Sequence, residues 1–283
     1  MDKLLNWSLA QQDPETASKV GAPDPKLLAE LFGQNVDDPT LMKQNIELIE
    51  SNEATDENKL ISFDNFEMLI ENLDNANNIE NLKLWPKLIK FLDWENLEFV
   101  NLTLSIIGTS VQNNNKSQLD FLKYDTGLSK LIQLAQNTKE VRVKALYALS
   151  NLIRNNEKSY EKFNDLKGWE LIGPIISNPE VNDKTILRSL SLFNSIQTIA
   201  PKQESFDHIH DYKIIKIFKN LIKSNDNINV IDKILNTIVG LINDGYKFDS
   251  EELGEIKNIT EFIEKEFKDV INLDDLKVLK QVN

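Results

Sequence analysis

The stretch ALYALSNLIRNN, residues 145–156, decides the fold because it contains the clearest amphipathic helix in the sequence. Its apolar side chains recur at spacings of three and four residues and form one broad stripe: Ala145, Leu146, Ala148, Leu149, Leu152 and Ile153. Such a stripe is typical of a helix that buries one face against neighbouring helices. The stretch therefore predicts a helix in the interior of a larger helical protein.

Four further segments share this apolar pattern at nearly constant intervals. Aligned by their apolar residues, the five segments begin at Ser62, Thr103, Ala145, Ser189 and Ile234, with successive steps of 41, 42, 44 and 45 residues. A period of about 40–47 residues is typical of helical repeats that bury their apolar faces only against one another. Glycine and proline are sparse and strand-like alternation is nearly absent, which predicts an all-α fold.

A second helical pattern precedes each of these segments. GLSKLIQLA at 127–135 and GWELIGPII at 168–176 align with glycine on glycine and apolar residue on apolar residue. A glycine-led helix followed by an ALSNL-like helix resembles the armadillo repeat. The expected fold is therefore an all-α, armadillo-like right-handed superhelical solenoid with a flexible N-terminal arm.

The composition predicts two regions and a cap. Residues 1–37 hold three of the eight prolines and two short apolar motifs, LLNWSLA and KLLAELFG, which predicts a flexible arm. We expect the repeat domain to cover 38–283 and to open where Asp38 caps a helix and Pro39 takes its first position. The acid- and lysine-rich amphipathic pattern after residue 250 suits a C-terminal cap with a polar outer face.

Charge and residue usage exclude several functions. The net charge of −13, without a basic stripe, argues against binding to nucleic acid. The absence of cysteine excludes disulfides and thiolate metal sites, and it favours a cytoplasmic location. The N-terminus lacks a secretory apolar region and no segment approaches the ~20 apolar residues of a membrane span, so no membrane association is expected.

No pattern of catalytic residues stands out. The only two histidines, His208 and His210, are predicted to lie in a loop, where Asp207 and Asp211 give them a superficial likeness to a metal cluster. Their spacing matches neither a zinc finger nor a zincin helix, and a solvated loop is the favoured interpretation. Phosphate loops, dinucleotide fingerprints and nucleophile elbows are missing as well. We therefore expect no enzyme activity, no cofactor and no metal.

Binding to another protein is the natural alternative for a solenoid. Armadillo proteins that carry basic peptides repeat a Trp-x-x-x-Asn ladder on the last helix of each repeat. The corresponding pairs here are Asp64 and Met68, Ser105 and Thr109, Tyr147 and Asn151, Ser191 and Ser195, and Asn236 and Gly240. Only one pair keeps an aromatic residue with asparagine, so an adaptor for extended peptides or another protein is the second hypothesis.

The first half of the chain carries more specific motifs. FDNFEMLIENLDNANNIENL at 63–82, followed by GTSVQNN and YALSNLIRNN, closely resembles the armadillo-type Fes and HspBP group of cytosolic nucleotide exchange factors for heat-shock protein 70 chaperones. The likeness includes MDKLLNWSLA, PDPKLLAELFG and DDPTLMK, and it extends to about residue 156. The resemblance implies a solenoid that grips the chaperone's ATPase domain, accelerates ADP release and so promotes substrate release.

The resemblance also implies partner-binding residues. The family's amide segment falls on Asp74, Asn75, Ala76, Asn77 and Asn78, where a small Ala76 would allow close approach and a purely structural turn is the alternative. Arg154 and Arg188, two of the three arginines, offer bidentate contacts, with a solvated helix face as the alternative. Asn113 and Asn114 repeat an amide pair that recurs at Asn155 and Asn156, and both pairs could be helix caps.

The N-terminal arm carries a separate prediction. Chaperones of this kind bind short apolar peptides, and the first motif of the arm presents Leu4, Leu5, Trp7 and Leu9. We expect this segment to mimic a client and to compete with clients for the chaperone. The alternative is a short helix that docks loosely on the solenoid.

Overall fold

The computed structural model describes residues 36–267 and 270–282, and every regular element in those ranges is helical. The prediction of an all-α fold is confirmed. In chain order the helices are α1 Asp38–Glu50, α2 Asp56–Ile70, α3 Leu73–Asn81, α4 Trp85–Phe91, α5 Leu97–Ser110, α6 Asn115–Phe121, α7 Asp125–Asn137, α8 Arg142–Ile153, α9 Glu157–Asp165, α10 Ile172–Ile176, α11 Asp183–Gln197, α12 Lys202–Asp211, α13 Ile214–Ser224, α14 Ile228–Asn243, α15 Ser250–Glu266 and α16 Leu273–Val282. A short 3₁₀ helix, Gly168–Leu171, precedes α10.

Most of the helices form repeats of three: a short first helix, a second helix and a long last helix. The triplets are α3–α4–α5, α6–α7–α8, α9–α10–α11 and α12–α13–α14, and the pair α1–α2 precedes them. Neighbouring last helices pack side by side, α2 on α5, α5 on α8, α8 on α11 and α11 on α14. Each of the five predicted starting residues lies inside one of these last helices. The helices begin three to six residues earlier. Most of these starts are set by a polar N-cap residue, such as Thr55 for α2 and Asn96 for α5.

One hydrophobic core continues through all the repeats. Aromatic rings link successive repeats within it: Phe63 lies 5.6 Å from Phe99 between ring centroids, and Trp85 lies 5.2 Å from Phe121. Each repeat therefore buries its apolar faces against its neighbours, as expected for a solenoid. No helix in the described part of the chain is both long enough and apolar enough to cross a membrane.

The first helix of the described chain is capped differently from the prediction. Asp37, not Asp38, is the N-cap of α1, and its Oδ1 accepts a hydrogen bond from the Thr40 backbone N–H at 2.7 Å. An N-cap side chain reaches the N–H three residues ahead, and Pro39 fits the second helical position. Asp38 is thereby free to accept a hydrogen bond from Asn75 of α3.

The C-terminal end is closed by α15 and α16. A capping box between Asp249 and Glu252 opens α15, and α16 buries Leu276 and Leu279 against the preceding helices. Exposed lysines and acids cover much of the outer side of these helices. The assignment of these two helices as a C-terminal cap stays a prediction.

Candidate functional site

The amide segment forms a helix. Asn72 is the N-cap of α3, and its Oδ1 accepts hydrogen bonds from the backbone N–H groups of Asp74 (2.9 Å) and Asn75 (3.4 Å). Residues 74–78 therefore lie in a helix, and the turn that the structural alternative assumed is wrong. The break between α2 and α3 comes earlier, at Glu71 and Asn72. Asn72 caps α3, and the asparagines that follow it are part of that helix.

Two residues of the segment face the interior. Asn75 is buried, and its Nδ2 donates to Asp38 Oδ2 at 2.7 Å and to the Leu69 carbonyl at 2.9 Å. It thus ties α3 to the start of α1 and to the end of α2. Ala76 is only 4% exposed. Their burial favours the structural alternative for these two residues.

The other three residues of the segment face outward at least in part. Asp74 is exposed, and Asn77 and Asn78 are half-buried. The Asn77 carbonyl accepts from Lys116 Nζ at 3.4 Å, and Asn78 Oδ1 accepts from Asn81. Asn77 Oδ1 itself is buried and accepts no hydrogen bond from any residue in the described ranges. A partner can therefore reach Asp74, Asn78 and the exposed part of Asn77, but not the Asn77 side-chain oxygen.

The two later amide pairs are built as helix junctions. Asn113 and Asn155 adopt left-handed backbone angles, with φ of 51° and 55°, a conformation that asparagine tolerates well. Asn114 and Asn156, both buried, cap α6 and α9 and accept from backbone N–H groups three residues ahead. The cap alternative is therefore correct for Asn114 and Asn156, whereas Asn113 is exposed.

Arg154 lies at the same kind of junction. It is the C-cap residue of α8, is exposed, and its backbone carbonyl accepts from Gln118 Nε2 at 3.1 Å. The guanidinium has no hydrogen-bond or ion-pair partner in the described part of the chain. We define the helix-end edge as the exposed or half-buried residues where last helices end and short helices begin: Asp74, Asn77, Asn78, Asn113 and Arg154.

Arg188 belongs to a different surface, formed by the last helices side by side. We call this surface the last-helix face and define it by Glu67 of α2, Ser105 and Thr109 of α5, Lys144 and Tyr147 of α8, and Arg188 of α11. The Arg188 guanidinium lies 5.0 Å from the centroid of the Tyr147 ring. The structure thus places the two predicted arginines on separate surfaces.

Hydrogen bonds connect neighbouring repeats across the last-helix face. Ser105 Oγ donates to Glu67 Oε1 at 2.6 Å and accepts from Lys144 Nζ at 2.8 Å. Thr109 Oγ1 lies 3.3 Å from Glu67 Oε1 and 3.4 Å from Tyr147 Oη. These bonds hold the polar groups in fixed positions before any partner binds. Sequence reasoning missed Glu67 and Lys144, because only the packing of the repeats brings them together.

A charged cluster fixes the short helices α3 and α6 beside the helix-end edge. Lys123 Nζ bonds to Glu80 and to Asp120, and Lys116 also bonds to Asp120. Burial raises the pKa of Asp120, but the hydrogen bonds from Lys123 and Lys116 outweigh it and hold that pKa below its usual range. The edge is therefore supported by one ion pair that links consecutive repeats, Lys123 with Glu80, and by two within the second of them.

The histidines lie in a helix. Both are in α12, so the predicted loop is wrong, and His208 stacks on Trp169 with ring centroids 4.7 Å apart. Aromatic packing of His208 was not visible from local sequence, because Trp169 comes from the preceding repeat. The interpretation of His208 and His210 as solvated loop residues is replaced by one packed and one exposed helical side chain.

His210 approaches two carboxylates from α15. Its Nδ1 lies 3.4 Å from Asp249 Oδ2 and 4.0 Å from Glu252 Oε1, so the acids come from distant sequence and not from the neighbouring aspartates. Glu252 Oε1 accepts from Tyr246 Oη at 2.7 Å, and its Oε2 accepts from the Asp249 N–H. Burial and the Glu252 carboxylate raise the pKa of Tyr246. Both oxygens of Glu252 are thus engaged, one by the Tyr246 hydroxyl and one by the capping box of α15, which favours a structural role for this cluster.

The predicted client-mimic residues Leu4, Leu5, Trp7 and Leu9 lie outside the described residues, as does most of the predicted arm.

Known proteins resemble this chain in fold over most of its length. A designed armadillo repeat protein in complex with the peptide (KR)4 matches with a TM-score of 0.69 and 13% identity, covering 86% of this chain and 99% of that one. A second designed armadillo repeat protein matches with a TM-score of 0.66 and 14% identity. The predicted armadillo-like solenoid is confirmed.

Sequence relatives match the chain from end to end. A Kluyveromyces lactis protein named Hsp70 nucleotide exchange factor FES1 is 45% identical over 289 residues, covering 100% of both chains. A Saccharomyces cerevisiae protein of the same name is 44% identical over 290 residues, also with complete coverage. A family model described as nucleotide exchange factor Fes1 matches residues 1–79. The likeness therefore extends well beyond residue 156, and the chain belongs to the Fes1 family of nucleotide exchange factors.

Proposed function

We propose that this protein binds the ATPase domain of a cytoplasmic Hsp70 chaperone and accelerates ADP release, which promotes substrate release and protein folding. The observation that carries the proposal is the full-length identity of about 45% to a protein named for Hsp70 nucleotide exchange. The solenoid makes and breaks no covalent bond in this role. It needs neither a cofactor nor a metal, and no nucleic acid or membrane takes part.

Exchange follows from a difference in binding free energy between two states of the chaperone. A protein that binds the open ATPase domain more tightly than the closed, ADP-holding domain shifts the population toward the open state. ADP then leaves faster because the open state holds it less tightly. A surface that is already ordered before binding loses little entropy in the complex, so more of its contact energy contributes to this shift.

The last-helix face is the surface we assign to the main contact. Its hydrogen bonds across three repeats hold Ser105, Thr109 and Tyr147 in place. Arg188, stacked on Tyr147, is positioned to direct its planar donors toward carboxylates of a partner. We assign Asp74, Asn77, Asn78, Asn113 and Arg154, on the helix-end edge, to the rim of the same contact.

The peptide-adaptor alternative is weakened at its best-preserved pair. Asn151 is buried, and its Nδ2 donates to the Gly108 carbonyl at 3.2 Å. The Asn151 side-chain amide holds α8 against α5 through this hydrogen bond, so its N–H donor is not available to the backbone of an extended peptide. We therefore keep the adaptor only as a second hypothesis.

The test is release of a fluorescent ADP from a cytosolic Hsp70, measured with the full-length protein and with single variants. We expect the wild type to accelerate release and Arg188→Ala to bind roughly 10- to 150-fold more weakly, since a hydrogen bond to a charged group contributes ~1.5–3 kcal/mol. Arg154→Ala, on the rim, should lose less. Lys257→Ala removes an exposed cation from α15 and serves as the matched control.

Each outcome of this test has a distinct meaning. If the wild type fails to accelerate release, the proposed function is wrong. If Arg188→Ala and Lys257→Ala both match the wild type, the exchange function stands and the assignment of the last-helix face is wrong.

For the arm, we propose that Leu4, Leu5, Trp7 and Leu9 compete with clients for the chaperone's peptide site. Substituting Leu5 and Trp7 by serine should slow client release and leave ADP release unchanged. An unchanged rate of client release would contradict this proposal.

A further inference from the structure

The N-terminal end of the described solenoid carries an apolar groove between α1 and α2. The groove has a volume of about 670 Å³, and its lining comes from one face of each helix: Leu41, Gln44, Asn45, Leu48, Asn58, Ile61, Ser62, Asn65, Met68 and Leu69. Met68 is 70% exposed and Ile61 is 51% exposed. Exposed apolar side chains that line one groove with a polar rim are typical of an interaction surface.

Among the described residues, this groove is the end of the solenoid that no further helix covers. The opposite side of α2 carries Phe63 and Phe66, which are fully buried, and α2 packs there on α5. In the following repeats, the side that corresponds to the groove is covered by the previous repeat. Solenoids require a terminal cap for this surface, and α15 and α16 supply one only at the other end.

Within the described residues, the first repeat begins at its second helix. The short helices α3, α6, α9 and α12 precede the second helices of the other repeats and have 7 to 10 residues. The described residues contain no such helix before α1. The sequence just upstream, DPKLLAELFG at 24–33, has the right length and the right pattern for one.

The pattern of this upstream sequence predicts an amphipathic helix. Asp24 and Pro25 repeat the Asp-Pro signal that opens α1, and Gly33 suits a helix C-terminus. At 100° per residue, the apolar side chains of Leu27, Leu28, Leu31 and Phe32 share one stripe, while those of Lys26 and Glu30 fall on the opposite side.

The connection to the groove is short. The four Cα–Cα steps from Phe32 to Val36 reach roughly 14 Å when extended. The chain enters α1 close to the Met68 end of the groove, because Asn75 bonds both to Asp38 at the start of α1 and to Leu69 at the end of α2. A short tether gives residues 27–32 a far higher effective concentration at the groove than it gives Leu4–Leu9.

The groove has no charge to attract a charged partner. Its polar lining consists of the amides Gln44, Asn45, Asn58 and Asn65 and the hydroxyl of Ser62. The apolar stripe of residues 27–32 fits such a lining, because the charged residues Lys26 and Glu30 fall on the opposite side of the predicted helix. We propose that residues 27–32 dock into the α1–α2 groove and cap the N-terminal end of the solenoid, which leaves the Leu4–Leu9 segment free to act elsewhere.

The absence of cysteine makes a direct test simple. The double variant Leu28→Cys/Met68→Cys should form an intramolecular disulfide under mild oxidation in most molecules, and the chains should remain monomeric. The matched control Leu5→Cys/Met68→Cys should cross-link in a minority. Equal cross-linking of both pairs, or disulfide-linked dimers in place of intramolecular bonds, would overturn the proposal.

A second measurement does not depend on disulfide geometry. Amide hydrogen exchange of the full chain should become several-fold faster across residues 41–69 in a Phe32→Asp variant, because the groove loses its cover. Leu9→Asp should leave the same amides unchanged. If Phe32→Asp leaves exchange in this region at the wild-type rate, the docking proposal is wrong, whatever the result for ADP release.

Discussion

At the scale of single residues, Ala76 shows how burial changes the choice of experiment. A large side chain at this position is an obvious way to block a partner, but Ala76 is 4% exposed and faces the protein itself. Overpacking of a core costs ~1–3 kcal/mol. We therefore expect Ala76→Arg to lower the free energy of unfolding by about that amount, so that loss of exchange in this variant does not locate the interface.

Urea unfolding of the Ala76→Arg variant, compared with that of an Asn81→Arg control, checks this prediction. Asn81 is exposed at the end of the same helix, where an arginine also suits the helix dipole. We expect the control to lie within about 0.5 kcal/mol of the wild type. Equal stability of both variants would show that Ala76 has room for a larger group.

The Asp120 carboxylate should make part of the stability depend on pH. The pKa of Asp120 is lower in the folded protein than in the unfolded chain, where it is about 3.9. The carboxylate therefore stabilises the fold fully above about pH 3.9, and this stabilisation disappears as the pH falls through the folded pKa. Asp120→Asn should therefore be less stable than the wild type at neutral pH, and the difference should shrink below about pH 4. Urea midpoints at pH 7 and pH 3 measure it, and a difference that grows in acid would contradict the assignment.

At the scale of elements, the contact between α5 and α8 depends on a glycine. A Cβ on Gly108 would lie 2.5 Å from the Tyr147 ring and 3.2 Å from Ala148 Cα. Alanine has the better helix propensity by about 1 kcal/mol, so the two effects oppose each other. Because the ring contact is far shorter than a Cβ can accept, we expect Gly108→Ala to displace Tyr147 from Thr109 and Arg188.

A double-mutant cycle separates these effects. In a Tyr147→Ala background the ring contact is gone and only the Ala148 contact persists, so Gly108→Ala should cost less there than in the wild type. The free energies of unfolding of the four proteins give the coupling energy. Additive effects would show that Tyr147 moves aside without loss.

The long last helices were predictable from sequence, whereas the short helices were not. A last helix such as α8 carries a broad apolar stripe, and that stripe is the strongest local signal of a buried helix. By contrast, α3 is only nine residues long and rich in amides, and isolated helices of that length are marginal in water. The caps Asn72, Asn114 and Asn156 recur at the repeat period and offer the signal that finds them.

The site was predictable only where a residue acts locally. The amide pairs could be interpreted as caps from sequence, because capping involves residues three apart. The last-helix face joins Glu67, Ser105 and Lys144, which come from three repeats, and no local pattern reveals such a combination. His210 meets Asp249 for the same reason, across some forty residues of sequence that form one repeat.

At the scale of the whole molecule, the N-terminal arm has two parts with different proposed roles. If residues 27–32 cap the solenoid and Leu4–Leu9 mimic a client, the effect of a truncation on stability and client release depends on which of the two parts it removes. Deletion of residues 1–20 should slow client release, while the free energy of unfolding and the rate of ADP release remain at wild-type values. Deletion of 1–34 should also expose the α1–α2 groove and lower the thermal midpoint, because the buried apolar area is lost.

Client release, ADP release and thermal unfolding, measured on both truncations and the full chain, distinguish these cases. Equal thermal midpoints for the two truncations would contradict the cap, and unchanged client release in both would contradict the client mimic. The two roles are separable because they rest on different motifs, 22 residues apart from Leu5 to Leu27. Suppose that the protein lacking residues 1–20 is stable and still accelerates ADP release, but releases clients more slowly. Nucleotide exchange would then belong to the solenoid, and client release to the first motif of the arm.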